Sequence, residues 1–418
     1  MKRLLALILL LSISQISHSQ GLLFDDEEHS KIEEYDTEQH GFVANPPNSY
    51  SMKKYAPVPI AQTGGTCVSV SSSYSALTTA YNRMFNITGC LTSMNSFQPY
   101  FEYSNIKSTY DYYCENGTYI YKGLSFMKDF GNFKYATPFP ISCNQSYKED
   151  EFNYCLSLSA PYRIKSYSKI SIENYSTLKE KAYQLKGVIA EGKPLVIGMM
   201  LPESFDNAFG VSLWDPSNSE LARSTGHAMC VIGYDDSKYG GAFQIMNSWG
   251  TEFGDGGFIW IKYDDFFRYT KRVYSFELYS STNTSCSYGN CTTGYGRYTW
   301  SSGETYEGQL NNNQMEGFGI YSNSCKWYAG FWSQGKRNGA GFLCDGTSVW
   351  NVKYSSGNIV SSEKFGFSSP EEDPRYDQIQ EAFETIKSMG NYEEGDIDDL
   401  DDDVFEEIPD SLPMEVEK

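Results

Sequence analysis

Three short sequence blocks constrain this chain most, because together they supply the groups that catalysis by a thiol requires. The blocks are Gln62-Thr-Gly-Gly-Thr-Cys67, Gly226-His227-Ala and Asn247-Ser-Trp-Gly250. A nucleophilic Cys needs a lowered thiol pKa, a base within hydrogen-bond reach and a group that fixes the imidazole. A fold that uses all three blocks must bring distant parts of the chain into one cleft.

The first block leads into a predicted helix. Residues 67–85 contain neither Gly nor Pro, and their apolar side chains recur at helical spacing, at Val70, Tyr74, Leu77, Tyr81 and Phe85. Cys67 is therefore predicted at a helix N-terminus, where the partial positive charge of the helix favours a thiolate.

The remaining residues of the three blocks complete the candidate site. His227 opens a predicted strand as the candidate base, and Asn247 can accept a hydrogen bond from the far imidazole nitrogen. The Gln62 amide, beside the Cys67 backbone N–H, is the candidate oxyanion donor. Trp249 can cover the hydrogen bond between Asn247 and His227.

The region around these blocks is predicted to be α+β, with helices first and strands later. Apolar periodicity and runs bounded by turn residues predict one further helix and four strands. These segments are a helix at Ser176–Ala190 and strands at Leu195–Met199, His227–Tyr234, Ala242–Met246 and Gly257–Tyr263.

Residues 282–364 contain an internal repeat. Tyr306-Glu-Gly308 recurs 22 residues later as Tyr328-Ala-Gly330, and Gly317-Phe-Gly319 recurs at the same distance as Gly339-Ala-Gly341. An earlier copy begins at Gly294. Such a period, with paired glycines and aromatic residues, predicts an array of β-hairpins in which each unit packs on its neighbours.

Both ends of the chain differ from its middle. Residues 1–20 have the pattern of a signal peptide, and residues 21–52 form an acidic leader that is predicted to be flexible. Residues 365–418 form an acidic tail that is predicted to be mostly disordered, with one short helix at Asp377–Met389.

The net charge of −20 is concentrated in the leader and the tail. The nearly neutral middle argues against a nucleic-acid partner. We expect a secreted or periplasmic protein without a spanning helix.

All ten cysteines follow the signal sequence, in a part of the chain where disulfides persist. Cys67 and Cys230 are predicted to be thiols, Cys230 in a buried strand. Sequence proximity suggests the pairs Cys90–Cys114, Cys143–Cys155, Cys286–Cys291 and Cys325–Cys344.

The blocks, read with the segment GHAMCVIGYDD and the following NSWGTEFGDGG, resemble the papain family of cysteine peptidases from about residue 53 to residue 281. The resemblance implies a two-lobed α+β fold, with Cys67 as nucleophile, His227 as general base and then acid, Asn247 as orienting group and Gln62 as oxyanion donor. It also implies that Gly117, in Cys114-Glu-Asn-Gly117, lines the substrate cleft together with Gly226 and Trp249.

Three departures from the family pattern concern the first block. Gln62 precedes Cys67 by five residues, one fewer than is usual, Val68 replaces the usual Trp, and Gly64 stands where a half-cystine is expected. The family's long inhibitory propeptide is also missing, and only residues 21–52 can take its place. The repeats resemble MORN repeats, which implies lipid or protein contact or, alternatively, a purely structural extension.

These features together predict an exported cysteine endopeptidase that uses no metal or organic cofactor, acts on a peptide or protein and carries a separable repeat module. We expect the fragment Gly21–Thr282 to fold and remain active. Two alternatives stay open: a catalytically silent papain-like module that binds peptide, glycan or envelope partners, and an amide hydrolase or acyl transferase acting on a non-protein substrate.

Overall fold

The computed structural model describes residues 21–135, 141–223, 225–279, 285–300, 303–323, 326–345 and 349–364. The predicted signal sequence, the acidic tail and its short helix lie outside the described residues. None of the helices within these ranges is long and apolar enough to cross a bilayer.

Helices dominate the first half of the described chain, and we call this part the helical lobe. The α-helices, in chain order, are Asp26–Lys31, Thr37–His40, Cys67–Ser69, Thr78–Met84, Leu91–Met94, Pro99–Ile106, Ile120–Asp129, Glu149–Ser159, Leu178–Ala190 and Tyr263–Tyr269. A π-helix spans Val70–Leu77, and 3₁₀ turns span Lys53–Tyr55, Ala160–Tyr162, Ile172–Asn174, Glu203–Asn207 and Lys238–Gly240.

A largely antiparallel sheet forms the second lobe. Its strands are β1 (Ser49–Ser51), β2 (Ile164–Lys169), β3 (Leu195–Met199), β4 (Leu213–Trp214), β5 (His227–Asp235), β6 (Ala242–Met246), β7 (Phe258–Lys262) and β8 (Thr270–Leu278). They lie in the order β2-β8-β3-β5-β6-β7-β4, with β1 paired to β5 and β4 parallel to β7. The strands β3, β5 and β6 are buried almost throughout, as their apolar runs predict.

The helix that begins at Cys67 is continuous through Cys67–Ser69, Val70–Leu77 and Thr78–Met84, and we call it the Cys67 helix. The predicted helix is confirmed, but its middle is a π-helix. Serine hydroxyls compete there for backbone carbonyls: Ser71 and Ser72 both donate to the Val68 carbonyl, and Ser73 donates to the Ser69 carbonyl. Such side-chain bonds disturb the regular α-helical ladder.

The predicted hairpin array is a second antiparallel sheet. Its strands follow one another in sequence order: β9 (Cys286–Gly289), β10 (Gly294–Thr299), β11 (Thr305–Asn311), β12 (Gln314–Asn323), β13 (Lys326–Ser333), β14 (Lys336–Asp345), β15 (Val349–Ser355) and β16 (Asn358–Lys364).

The period of 22 residues comes from a row of paired glycines across this second sheet. Gly308, Gly319, Gly330 and Gly341 lie opposite one another in successive strands. A Cβ on Gly319 would lie 2.5 Å from the Tyr306 ring, and a Cβ on Gly330 would lie within 2.5 Å of the Tyr328 ring. The glycines therefore leave room for the repeated tyrosines to lie flat on the sheet.

The acidic leader is docked on the peptidase region, which corrects the prediction of a flexible segment. The Tyr35 backbone N–H donates to the Lys169 carbonyl, and the Lys169 N–H donates to the Glu33 carbonyl. The Phe42 ring lies where a side chain on Gly187 would otherwise be. These contacts join distant parts of the chain, so local composition could not reveal them.

The disulfide predictions are only partly correct. Cys286–Cys291 is confirmed, but Cys114 pairs with Cys143, so the predicted pairs Cys90–Cys114 and Cys143–Cys155 are both wrong. Cys155 and Cys230 are buried free thiols. The predicted partner of Cys344, Cys325, lies outside the described residues.

Candidate active site

Cys67 lies at the start of its helix, as predicted, and its side chain is fully buried. Burial raises the pKa of the Cys67 thiol to about 11, although backbone hydrogen bonds from Ala228 and Gly21 favour the thiolate. The expected lowering of the thiol pKa is therefore wrong for this arrangement of the chain. The reason is desolvation, which outweighs the charge of the helix terminus.

The structure brings His227 and Asn247 together. His227 is the first residue of β5 and lies opposite Met199 in β3, whereas Asn247 directly follows β6. His227 Nε2 and Asn247 Oδ1 are 2.7 Å apart in a buried environment. A hydrogen bond there fixes the plane of the imidazole ring and thereby the direction in which its other nitrogen, Nδ1, points. The Cys67 sulfur lies beside the next residue of the same strand, Ala228.

Trp249 covers this pair, as the sequence predicts. Its ring lies 4.8 Å from the His227 ring, measured between centroids, at an interplanar angle of 34°. Phe205 and Phe253 also pack against the indole, with ring centroids 5.5 Å and 5.0 Å away. The three aromatic residues keep water away from the bond between His227 and Asn247.

Gln62 is held next to the Asn247 segment. Its backbone N–H donates to the Ser248 carbonyl at 2.7 Å, and its side-chain oxygen accepts from Ser248 Oγ at 2.6 Å. Its Nε2 donates to the Gly64 carbonyl at 2.6 Å. The side chain is thus fixed at both ends, and an oxyanion would have to use the second hydrogen of Nε2 or displace the Gly64 carbonyl.

The leader residues Gly21–Leu23 occupy the cleft beside Cys67. The Leu22 N–H donates to the Gly226 carbonyl at 3.0 Å, and the Leu23 N–H donates to the Thr118 carbonyl at 2.8 Å. The Thr118 N–H donates to the Gly21 carbonyl, also at 2.8 Å. The segment runs parallel to Thr118 and antiparallel to Gly226.

Gly117 and Gly226 form the two walls around this segment. A Cβ on Gly117 would lie 1.8 Å from the Gly21 carbonyl oxygen, and a Cβ on Gly226 would lie 2.9 Å from the Leu22 carbonyl oxygen. Gly117 also has a φ of 71°, which favours glycine. Only glycine at both positions allows another backbone to approach this closely.

Leu22 is the cleft residue that sequence reasoning missed. Its side chain is buried and contacts the position where a side chain on Gly198 would lie, next to Ile120. The available signal was the apolar run Gly21-Leu-Leu-Phe24 that precedes the acids of the leader. Its apolar character suits a pocket better than it suits solvent.

No group of three or more His, Cys, Asp or Glu side chains in the described ranges is arranged to hold a metal ion. The chemistry that the clustered residues can perform is nucleophilic attack by the Cys67 sulfur, with proton transfer through His227.

Comparison with known proteins agrees with this architecture. The family model described as papain family cysteine protease matches residues 107–272, and the MORN repeat model matches residues 293–305, 306–324 and 328–348. Over 99 residues the chain is 25% identical to an uncharacterized peptidase C1-like protein of Acanthamoeba polyphaga mimivirus. That stretch covers 23% of this chain and 31% of the viral protein.

Two solved structures of cysteine proteases are among those similar to this chain. Xylellain, a cysteine protease from Xylella fastidiosa, is 19% identical, with 63% of this chain and 97% of that chain covered and a TM-score of 0.48. Digestive procathepsin L 3 of the Tenebrio molitor larval midgut is 13% identical, with 62% and 77% covered and a TM-score of 0.45. The predicted α+β class followed by a hairpin sheet is confirmed. On the family matches, residues 107–272 are similar to the papain family of cysteine proteases, and MORN repeats match within residues 293–348.

Proposed function

We propose that the chain is an exported cysteine endopeptidase with Cys67 as nucleophile. The observation that carries the proposal is the 2.7 Å contact between His227 Nε2 and Asn247 Oδ1. His227 begins β5, and the next residue of that strand, Ala228, contacts the Cys67 sulfur. The two described disulfides and the signal-like N-terminal sequence support export.

In this reaction the Cys67 sulfur attacks the carbonyl carbon of a peptide bond as His227 takes the thiol proton. The carbon–nitrogen bond then breaks, and His227 gives the proton to the leaving amine. Water, deprotonated by His227, attacks the thioester and restores the thiol. Asn247 keeps the imidazole in place throughout. The Cys67 backbone N–H and the Gln62 amide are the candidate donors to the oxyanion.

The conformation in which the leader is docked in the cleft is the inactive form of this enzyme. Gly21–Leu23 uses the backbone groups of Thr118 and Gly226 that a substrate backbone needs, and it buries the thiol. Activity therefore requires the leader to leave the cleft. The apolar pocket that Leu22 fills then becomes available to a substrate side chain of similar size and chemistry.

The MORN repeats are proposed as a contact surface for lipid or protein. Part of one sheet face is already used within the chain, because Phe318, Ile320 and Trp327 pack with Met94 of the helical lobe. A lipid or protein partner would therefore have to bind the remaining surface of the sheet.

The test uses the full chain with Leu22→Asp, which places a carboxylate in the apolar pocket and opens the cleft. We expect this protein to cleave peptides, and we expect Cys67→Ser in the same background to lose about 1,000-fold or more of kcat/KM. The control Cys230→Ala replaces a buried thiol outside the site and should keep activity within about twofold. Hydrolysis that survives Cys67→Ser would refute the proposal, and peptide binding without hydrolysis would favour the silent module.

A further inference from the structure

Glu102 has a fully buried carboxyl group that packs against the Cys67 helix. It lies on the helix Pro99–Ile106 and faces Ser72 of the Cys67 helix and Gly123 of the helix Ile120–Asp129. A Cβ on Gly123 would lie 2.2 Å from Glu102 Oε1, so the glycine provides the space that the carboxyl occupies. The other carboxyl oxygen, Oε2, is buried without a hydrogen-bond partner among the described residues.

The hydroxyl of Ser72 connects this carboxyl to the residue next to the nucleophile. Ser72 Oγ lies 2.7 Å from the Val68 carbonyl oxygen and 2.7 Å from Glu102 Oε1. A hydroxyl has one hydrogen to donate. If Ser72 donates to Val68, the contact with Glu102 is a hydrogen bond only when the carboxyl is protonated and is itself the donor.

No charged group faces Glu102 from the elements described around it. The Cys67 helix presents the hydroxyls of Ser69, Ser72 and Ser73, with the Cys67 thiol at its start. The charged residues of the helix Ile120–Asp129 are exposed, namely Lys122, Lys128 and Asp129. Burial raises the pKa of Glu102 from 4.5 to about 8, against the opposing effect of the three hydroxyls. Burial therefore favours the neutral carboxyl over the carboxylate.

We propose that neutral Glu102 is a positioning residue for Cys67, acting through Ser72 and the Val68 carbonyl. The inference rests on the proposed function, because it assumes that Cys67 is the nucleophile. The chain of donors runs from the Glu102 carboxyl to Ser72 Oγ and from Ser72 Oγ to the Val68 carbonyl. It fixes the first turn of the Cys67 helix.

Ionisation of Glu102 reverses this arrangement. The Ser72 hydrogen then turns towards the carboxylate, and Val68 retains only the side-chain bond from Ser71, at 2.9 Å. The first turn of the Cys67 helix is then held by one side-chain bond fewer, so loss of the Glu102 proton contributes to the decline of activity at alkaline pH.

The first experiment measures kcat/KM against pH in the Leu22→Asp background. Glu102→Gln keeps a donor to Ser72 but cannot ionise, so we expect kcat/KM at pH 7 within about threefold of the parent and an alkaline limb about 1 pH unit higher. Asp129→Asn, an exposed carboxylate on the neighbouring helix, should leave the profile unchanged. A Glu102→Gln profile that coincides with that of the parent overturns the proposal.

The second experiment does not depend on activity. Carboxyl ¹³C NMR of glutamate-labelled Cys67→Ser protein should contain one resonance that titrates near pH 8, and Glu102→Gln should remove it. A Glu102 carboxyl that is already ionised at pH 6 overturns the proposal even if the enzyme is active. If Cys67→Ser retains hydrolysis, the proposed function fails instead, and the NMR titration still reports the state of Glu102.

Discussion

At the scale of single residues, the state of the Cys67 thiol determines whether the site can react. The leader residues above it exclude water, and this burial raises the pKa of the thiol to about 11. The sequence predicts the helix N-terminus correctly but omits the segment that covers it. With the leader in place, desolvation of the Cys67 thiol therefore suppresses its reactivity.

Leu22→Asp tests this suppression directly. An aspartate in the apolar pocket carries a large desolvation penalty, so the leader should leave the cleft. Alkylation of Cys67 at pH 7.5 should then be about 100-fold faster, because a thiol pKa near its ordinary value gives far more thiolate. The rate is measured with iodoacetamide and peptide mapping. Leu23→Asp is the matched control, because Leu23 is 42% exposed. Equal rates in the two variants would contradict the account.

Gln62→Ala tests the candidate oxyanion donor. Loss of one such donor should lower kcat by about 100-fold with little change in KM. Ser248→Ala removes the bond to the Gln62 oxygen but keeps its Nε2 group, so a much smaller decrease is expected. Steady-state kinetics in the Leu22→Asp background distinguish the two variants. If both lower kcat equally, Gln62 acts only as an anchor for the Ser248 segment.

At the scale of elements, the docked leader responds to pH through His29. The ring lies against Tyr274, with Nδ1 2.7 Å from the phenol oxygen. Burial, together with the charges of Arg272 and Lys169, lowers the pKa of His29 from 6.5 to about 4. A released leader binds the proton more readily than a docked one. Docking therefore weakens as the pH falls from 6.5 towards 4.

Hydrogen exchange of residues 21–35 measures this release. Protection of their amides, corrected for the intrinsic effect of pH, should be lower at pH 4.5 than at pH 7. His29→Asn keeps a polar partner for Tyr274 but cannot take up the proton, so the difference between the two pH values should shrink. An unchanged difference in His29→Asn would assign the acid response to another group.

The sequence predicts the Cys67 helix and the central strands, but it misses most of the other helices and the long-range contacts. The Cys67 helix is recognised because its apolar residues recur with the helical period, and the strand Leu195–Met199 is recognised because it is a short apolar run bounded by turn residues. The Cys114–Cys143 bond and the docking of Leu22 depend on which distant surfaces meet. The sequence does not predict the π-helix, because serine is compatible with a helix. Only the structure shows to which backbone carbonyl each serine hydroxyl donates.

At the scale of the whole molecule, a buried ionic cluster joins the repeats to the helical lobe. Glu307 of β11 lies 2.6 Å from Arg297 Nη1 and 3.5 Å from Lys134 Nζ, and it accepts a hydrogen bond from Tyr162. Burial disfavours its ionised form, but Lys134 and Arg297 outweigh that effect and hold the pKa of Glu307 below its usual range. Lys134 also lies over the Tyr81 ring, at 3.6 Å.

Glu307→Gln should destabilise the whole chain, because it leaves the buried Arg297 cation and Lys134, whose pKa burial lowers to about 7, without their anion. Removing one partner of a buried ion pair typically costs about 3–5 kcal/mol in the free energy of unfolding. Urea unfolding followed by tryptophan fluorescence measures the loss. Glu203→Gln, at an exposed position of the peptidase region, should cost less than about 0.5 kcal/mol. Equal stability of the two variants would mean that the cluster does not couple the repeats to the helical lobe.

This interface reverses the expectation that residues 21–282 fold and act alone. A fragment ending there lacks Arg297 and Glu307, and it exposes the aromatic surface of Tyr81 and Tyr162 to water. We now expect that fragment to be less stable than the full chain. We therefore expect the repeat sheet and the helical lobe to depend on each other for packing, although the proposed boundary near residue 281 separates them in sequence.

The most direct test of the central claim is covalent labelling of the full chain with an epoxide thiol inhibitor, followed by mapping of the modified residue. The account predicts label on Cys67 alone at neutral pH, slow in the native chain and fast in Leu22→Asp. His227→Ala in the Leu22→Asp background should abolish the labelling, because the imidazole no longer takes the thiol proton. Label on Cys155 or Cys230, or labelling of Cys67 that does not depend on His227, would contradict the assignment of Cys67 as an activated nucleophile.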